Sequence, residues 1–190
     1  MTPLTQTYDY PVLAEYMQWI TVVDDICADL VRKHRSYLRC GLRCSDCCRD
    51  ARSVLPIEAH FIRELLNILP KKRLWLLSEN CEESTMCPFL IDDLCEIYTA
   101  RPLLCRVNGL PLLFHSKDGP SIHCCELNFT TRKENDPFGD EDVLRMHALD
   151  AQLLEFNQRV IREFPQNHLP NERILMYDLI RQTLHEKGIL

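Results

Sequence analysis

The sequence predicts a mainly helical protein, with about four main helices forming a scaffold around a cysteine-rich core of loops and hairpins. Three observations predict it. Apolar residues recur at intervals of three and four near both ends of the chain. All but one of the 11 cysteines fall between about 40 and 125, in short stretches broken by turn residues. With only 5 glycines and 46% hydrophobic residues, the 190-residue chain has the composition of a globular protein and enough length for one core. A single domain, 1–190, is expected, its cysteine-cluster core at about 40–125 and helical parts on either side.

The first helix is expected from Tyr10 to about Arg35, with Tyr16, Ile20, Val23, Cys27 and Leu30 on one buried stripe. Cys27 on that stripe reads as a small core residue. A second helix should run from Pro56 to Leu69, with Ser53 or a neighbour near its start and Pro70 closing it. Ile57, Phe61, Leu65 and Ile68 or Leu69 would face inward. "KKRLWLLSENC" predicts a short helix or turn that packs Trp75 and Leu76. The stretch 87–105 reads as two short strands joined at Asp92 and Asp93, then a turn over Ala100 to Leu104. "GLPLLFHSKDGPSIHCC" predicts a hairpin turning at "KDGP". A helix over roughly 141–164 would carry Leu149, Leu153, Phe156, Val160 and Phe164 on one face and stop at Pro165. Asn171 would cap a last helix with Ile174, Tyr177, Ile180 and Leu184 inward, ended by Gly188.

Charge and composition exclude several classes. A formal net charge of −6 argues against nucleic acid as the main partner and leaves a protein partner of unknown kind open. The start of the chain shows no secretory pattern and no run is long enough to span a membrane, so a cytoplasmic location with no membrane contact is expected. Five glycines supply neither a phosphate loop nor a dinucleotide fingerprint. A nucleophilic cysteine with a histidine base would need one activated thiol, not a crowd.

The cysteines carry the chemistry. "CGLRCSDCC", residues 40–48, packs four of them into nine positions. In a reducing compartment an odd, high cysteine count fits thiolates on a metal better than a disulfide framework. Cys44 and Cys47 have the Cys-x2-Cys spacing that lets two sulfurs hold one metal, and Cys40 adds a third after a longer gap. Cys47 and Cys48 are adjacent, so their side chains diverge, and one of them serves another metal or faces the core. Cys87, Cys95 and Cys105 come from a second segment, Cys124 and Cys125 from a third. Thiolate sulfur selects zinc, copper(I) or iron–sulfur over magnesium or calcium, and spacing does not choose zinc over iron. Among the 7 histidines, only His123, and His147 with Asp150, stand where they could add a ligand. Seven basic residues (32, 33, 35, 39, 43, 49 and 52) surround the knuckle against Asp46 and Asp50. Guanidiniums there would offset the charge of a thiolate centre.

"CGLRCSDCC", then "CPFLIDDLCEIYTARPLLCR", then "CC" near 124, resemble the bacterial CxxCxxCC cysteine-cluster family, whose members are named for zinc or iron chelation. The resemblance implies metal ligands at Cys40, Cys44, Cys47 and Cys48, at Cys87, Cys95 and Cys105, and at Cys124 or Cys125. It places Arg101 and Arg106 beside the centre, with Phe89 and Tyr98 shielding sulfur. The first gap departs from the family pattern: Gly41, Leu42 and Arg43 stand where two residues are usual, so Cys40 reaches the site through a bulged turn or does not ligate. The expected primary set is Cys44, Cys47 or Cys48, Cys87 and Cys105, with Cys95 and Cys124 next. The implied function is a metal-binding protein that holds an iron–sulfur cluster or zinc. A zinc-stabilised interaction module is one alternative. An iron–sulfur-dependent redox or modification enzyme is the other, since a related motif occurs in flagellin lysine methylases.

Overall fold

The computed structural model describes residues 10–48, 52–80, 86–133, 136–163 and 172–189. Helix α1, Pro11–Lys33, opens on a proline, whose missing N–H costs nothing at a first helical turn. Strand β1, Ser53–Val54, leads into α2, Pro56–Ile68, and α3, Lys71–Asn80. Strands β2, Leu90–Ile91, and β3, Leu94–Cys95, precede the short helix α4, Leu103–Val107. Strands β4, Leu112–Ser116, and β5, Gly119–His123, form the predicted hairpin, and β6, Leu144–Arg145, runs parallel to β4. Helix α5, Met146–Glu163, β7, Ile174–Leu175, and α6, Met176–Glu186, complete the described chain.

Two apolar clusters hold these elements. In the first, the α1 stripe Val12, Tyr16, Ile20, Val23, Cys27 and Leu30 packs on Leu153, Phe156 and Val160 of α5 and on α4. In the second, Ala59, Ile62 and Leu66 meet Leu74 and Leu77 of α3 and Leu179, Ile180 and Leu184 of α6. Helix α2 belongs to both, because Ile57 and Phe61 lie on its other side, in the first cluster. Buried Glu58 fixes where α2 begins. One carboxylate oxygen accepts from Leu55 N at 2.9 Å and the other from Leu103 N at 2.9 Å. The donors that open α2 and α4 are thus satisfied by one side chain. Asn157 of α5 accepts from Ile57 N (3.2 Å), tying a third helix to the same point.

Several expectations shift. The helix at 71–80 forms, yet Trp75 is 52% exposed while Leu74 and Leu77 turn inward. A start at Lys71 sets the three-and-four stripe on 74 and 77 and rotates Trp75 to solvent. Ser53 lies in β1 and not at the helix start, where Leu55 precedes Pro56. Helix α5 begins at Met146, later than 141, because 140–142 form a 3-10 turn and Leu144–Arg145 pair with Leu112–Leu113. Ile174 is buried in β7 opposite Val54, ahead of α6. Gly188, with φ 61°, closes α6 as expected. Phe164, Pro165 and Asn171 lie outside the described residues. Among the described residues, no helix is long and apolar enough to cross a membrane.

Candidate metal centre

Three segments bring thiols to the edge of the second cluster. Cys48 closes the 3-10 turn Asp46–Cys48, where its N–H donates to Ser45 O at 2.8 Å. Its carbonyl accepts from Cys87 N at 2.6 Å, which stitches the knuckle to the next cysteine segment. Cys95 is set by the β2–β3 hairpin, opposite Leu90. The hairpin turns in two residues, Asp92 and Asp93, with φ of 51° and 60°. Two positive φ values match the turn whose twist suits paired strands, and aspartate tolerates them better than most side chains. Ser45 Oγ donates to Asp93 Oδ1 at 2.6 Å, pinning the hairpin tip to the knuckle. Cys105 projects from α4, whose start Glu58 anchors. Cys87 is buried within the second cluster, and Cys48, Cys95 and Cys105 pack against it.

These thiols act on one another. Cys48 is influenced by Cys47, Cys87 and Cys105, Cys87 by Cys95 and Cys47, and Cys95 by Cys105. Burial pushes the thiols of Cys87 and Cys95 up to about 11 and that of Cys105 up to about 12, and neighbouring sulfurs add to the shift. Cys48 is raised as well, first because its thiol donates to Cys47. Cys47 moves the other way, to about 6, held down by that hydrogen bond, by the Asn108 side chain and by Arg52. Arg52 is the guanidinium that faces the group. Its Nη2 donates to Cys47 O (2.7 Å), and its charge also favours the thiolates of Cys87 and Cys105.

The other predicted residues stand as follows. Cys40 and Cys44 lie on the first half of the knuckle, where Cys44 N donates to Gly41 O (3.1 Å) and Cys40 Sγ accepts from Asn128 Nδ2 (3.1 Å). Cys124 and Cys125 follow β5, half-buried and close to each other. Arg101 stacks over the Tyr98 ring at 4.0 Å and lies within electrostatic reach of Cys95. Arg106 is buried and directs its N–H groups to Asp24 Oδ2 (2.5 Å), Thr99 O (2.8 Å) and Arg101 O (2.8 Å), clamping α4 to α1. Phe89 is fully buried, whereas Tyr98 is exposed. His123 meets Ser121 Oγ, and His147 packs on His115. Cys27 is buried in the first cluster, as expected for a core residue.

The sequence left three polar residues unremarked: Asn108 on Cys47, Asn128 on Cys40, and Arg52 singly. Arg52 could have been found as the cation four residues beyond Cys48. No local pattern marks the asparagines.

The donor set is all thiol and the described cysteines are all unpaired, so its chemistry suits a thiophilic metal. Among the described residues, no three Cys, His, Asp or Glu side chains stand close enough together to hold a metal ion as placed. The thiols converge without closing. The segment that contains them is the one that finds a match: residues 39–118 match the model of CxxCxxCC, described as "Putative zinc- or iron-chelating domain". The chain carries a CxxCxxCC domain. It takes in Cys40, the knuckle, both strands of the β2–β3 hairpin and α4, and leaves out Cys124, Cys125 and helices α1, α5 and α6. No curated protein and no solved structure matches the chain.

Proposed function

We propose that this protein binds zinc or an iron–sulfur cluster through the thiolates of Cys48, Cys87, Cys95 and Cys105. One observation carries the proposal: four cysteines from three segments of the CxxCxxCC domain gather on one apolar cluster, joined by the 2.6 Å bond from Cys87 N to Cys48 O. Four cysteine sulfurs are the complement that a structural zinc or a [4Fe-4S] cluster takes. Phe89 and Ile97, buried in the same cluster, give the thiols an apolar side, and Arg52 would offset the negative charge that thiolates bring. When bound, zinc would supply a rigid cross-link, and an iron–sulfur cluster would supply one-electron redox chemistry.

A stabilising role has an observation of its own. Between Met86 and Ala100 the backbone forms only two strands of two residues and a 3-10 turn. Such short pairing is marginal in water, so a metal clamp would replace missing core.

Anaerobic purification followed by elemental analysis and an absorption spectrum tests the proposal. About four irons per chain with broad visible absorption indicates a cluster. One tightly held zinc without colour indicates the clamp. A folded chain that carries neither metal as purified, and takes up neither on reconstitution, overturns it.

A further inference from the structure

The three-stranded sheet has two faces, and only one of them meets the core. Leu112 and Leu144, paired across β4 and β6, turn into the first apolar cluster. Alternation along a strand sends their neighbours to the other side. Ile122, Leu113 and Arg145 stand there in one row across β5, β4 and β6, with Pro120 and His115 in the next row. Phe138, Gly139, Asp140 and Val143 rise beside this face and enclose with it a cleft of about 610 Å³, lined by no cysteine. The wall is fixed from behind. Asp142, 8% exposed, accepts from Gly139 N at 2.9 Å, and its other oxygen faces Lys33 (2.7 Å) and His34 (3.0 Å) at the end of α1. The Arg132 guanidinium lies 3.7 Å from the centre of the Phe138 ring.

The polar groups of the cleft converge. His115 and His147 meet edge to face with ring centres 5.0 Å apart. Arg145 of the floor reaches Asp140 of the wall at 3.3 Å, while the neighbouring Glu141 is turned to Lys33 (3.5 Å). The Arg145 and Asp140 side chains are 53% and 86% exposed, and so open a pair contributes little stability. Asp140 is therefore readily replaced by another carboxylate. The cleft thus offers one guanidinium, two imidazoles that can donate N–H, and an apolar floor of Leu113 and Ile122. A single guanidinium matches a singly charged carboxylate, whereas a phosphate monoester would bring a second charge with no partner.

We propose that this cleft binds a small carboxylate with an apolar body. The carboxylate takes the place of Asp140 on Arg145, whose planar fork supplies two parallel N–H donors, and accepts a further N–H from His115 or His147. The apolar body lies on Leu113 and Ile122, against Val143. The cleft volume falls in the range of small-molecule sites. Binding is reversible, and no covalent bond is made or broken.

The test titrates isotope-labelled protein with hydrocinnamate, with its neutral amide and with phenyl phosphate, following backbone amide signals by NMR. Hydrocinnamate should shift the signals of Leu113, Ile122, Val143 and Arg145 saturably, and the amide and the phosphate should each bind about tenfold more weakly or worse. Arg145→Gln should weaken hydrocinnamate by a similar factor, and Asp140→Asn, which frees the guanidinium, should tighten it. No saturable shift at the cleft overturns the proposal, as does equal affinity for carboxylate and amide, or for wild type and Arg145→Gln. Tighter binding of phenyl phosphate than of hydrocinnamate refutes the carboxylate assignment. The comparison of carboxylate with amide uses the wild type alone, so it decides the point even if a variant fails to fold.

Discussion

Arg52 and Glu58, six residues apart, carry opposite kinds of weight. Arg52 is bonded to the knuckle through Cys47 O and sits in the field of three thiols. Residues that support metal ligands from behind typically govern affinity by about 10–100-fold. Arg52→Gln should therefore weaken zinc binding in a competition titration by a factor of about 10–100, with little effect on the stability of the metal-free chain. Glu58 acts on the fold instead. An amide at this position can accept only one of the two backbone N–H groups, so Glu58→Gln should cost about 1–3 kcal/mol in urea unfolding. Burial holds the Glu58 carboxyl above its ordinary range. A raised carboxyl favours the folded state most below the unfolded value, and this contribution falls as pH rises through the folded one. The cost of Glu58→Gln should accordingly be larger at about pH 4 than at neutral pH.

The β2–β3 hairpin is the element on which the proposed centre most depends, because it carries Cys95 and its tip is fastened to Ser45. Its two-residue turn needs positive φ at both Asp92 and Asp93. Asp92→Val places a branched side chain in the left-handed region, at a cost of about 1–2 kcal/mol, and should speed metal loss to a chelator. Asp92→Gly should leave that rate unchanged. This hairpin was legible in the sequence, since "DD" separates two apolar pairs. So were α1 and α2, whose stripes run at helical spacing. The rotation of Trp75 out of the core was not, because it turns on a helix start that no capping residue marks. Nor was the backbone route of Cys48 to Cys87, a contact between segments nearly forty positions apart. The cysteines that could bind metal were visible as a crowd, and which of them gather on one apolar cluster was not. Asn128, which holds Cys40, carries no sequence signature of such a role.

At the scale of the whole molecule, the proposed metal binding would be coupled to protonation. Cys87, Cys95 and Cys105 have thiols raised to about 11, about 11 and about 12, so each is protonated at neutral pH in the metal-free chain. A metal bound at the proposed centre would displace those protons, so its affinity should rise with pH until the thiols ionise on their own. Cys48, whose thiol donates to Cys47, adds a fourth proton, so calorimetry in buffers of different ionisation enthalpy should find about four protons released per metal bound at the proposed centre at neutral pH, and affinity should climb between about pH 6 and pH 8. Proton release near zero would mean the buried thiols are not the ligands.

Helix α2 links both apolar clusters, and the four proposed ligands sit on only one of them. Removing metal should thus loosen the segment 86–105 while the α1–α5 packing persists, a difference that hydrogen exchange can resolve.

The most direct test compares metal content after anaerobic purification among the wild type, Cys105→Ser and Cys27→Ala. Both substitutions remove one thiol, one from the proposed centre and one from the first apolar cluster. Metal retained by the wild type and by Cys27→Ala but lost from Cys105→Ser is the predicted result. Equal metal in all three proteins would contradict a centre built on Cys48, Cys87, Cys95 and Cys105.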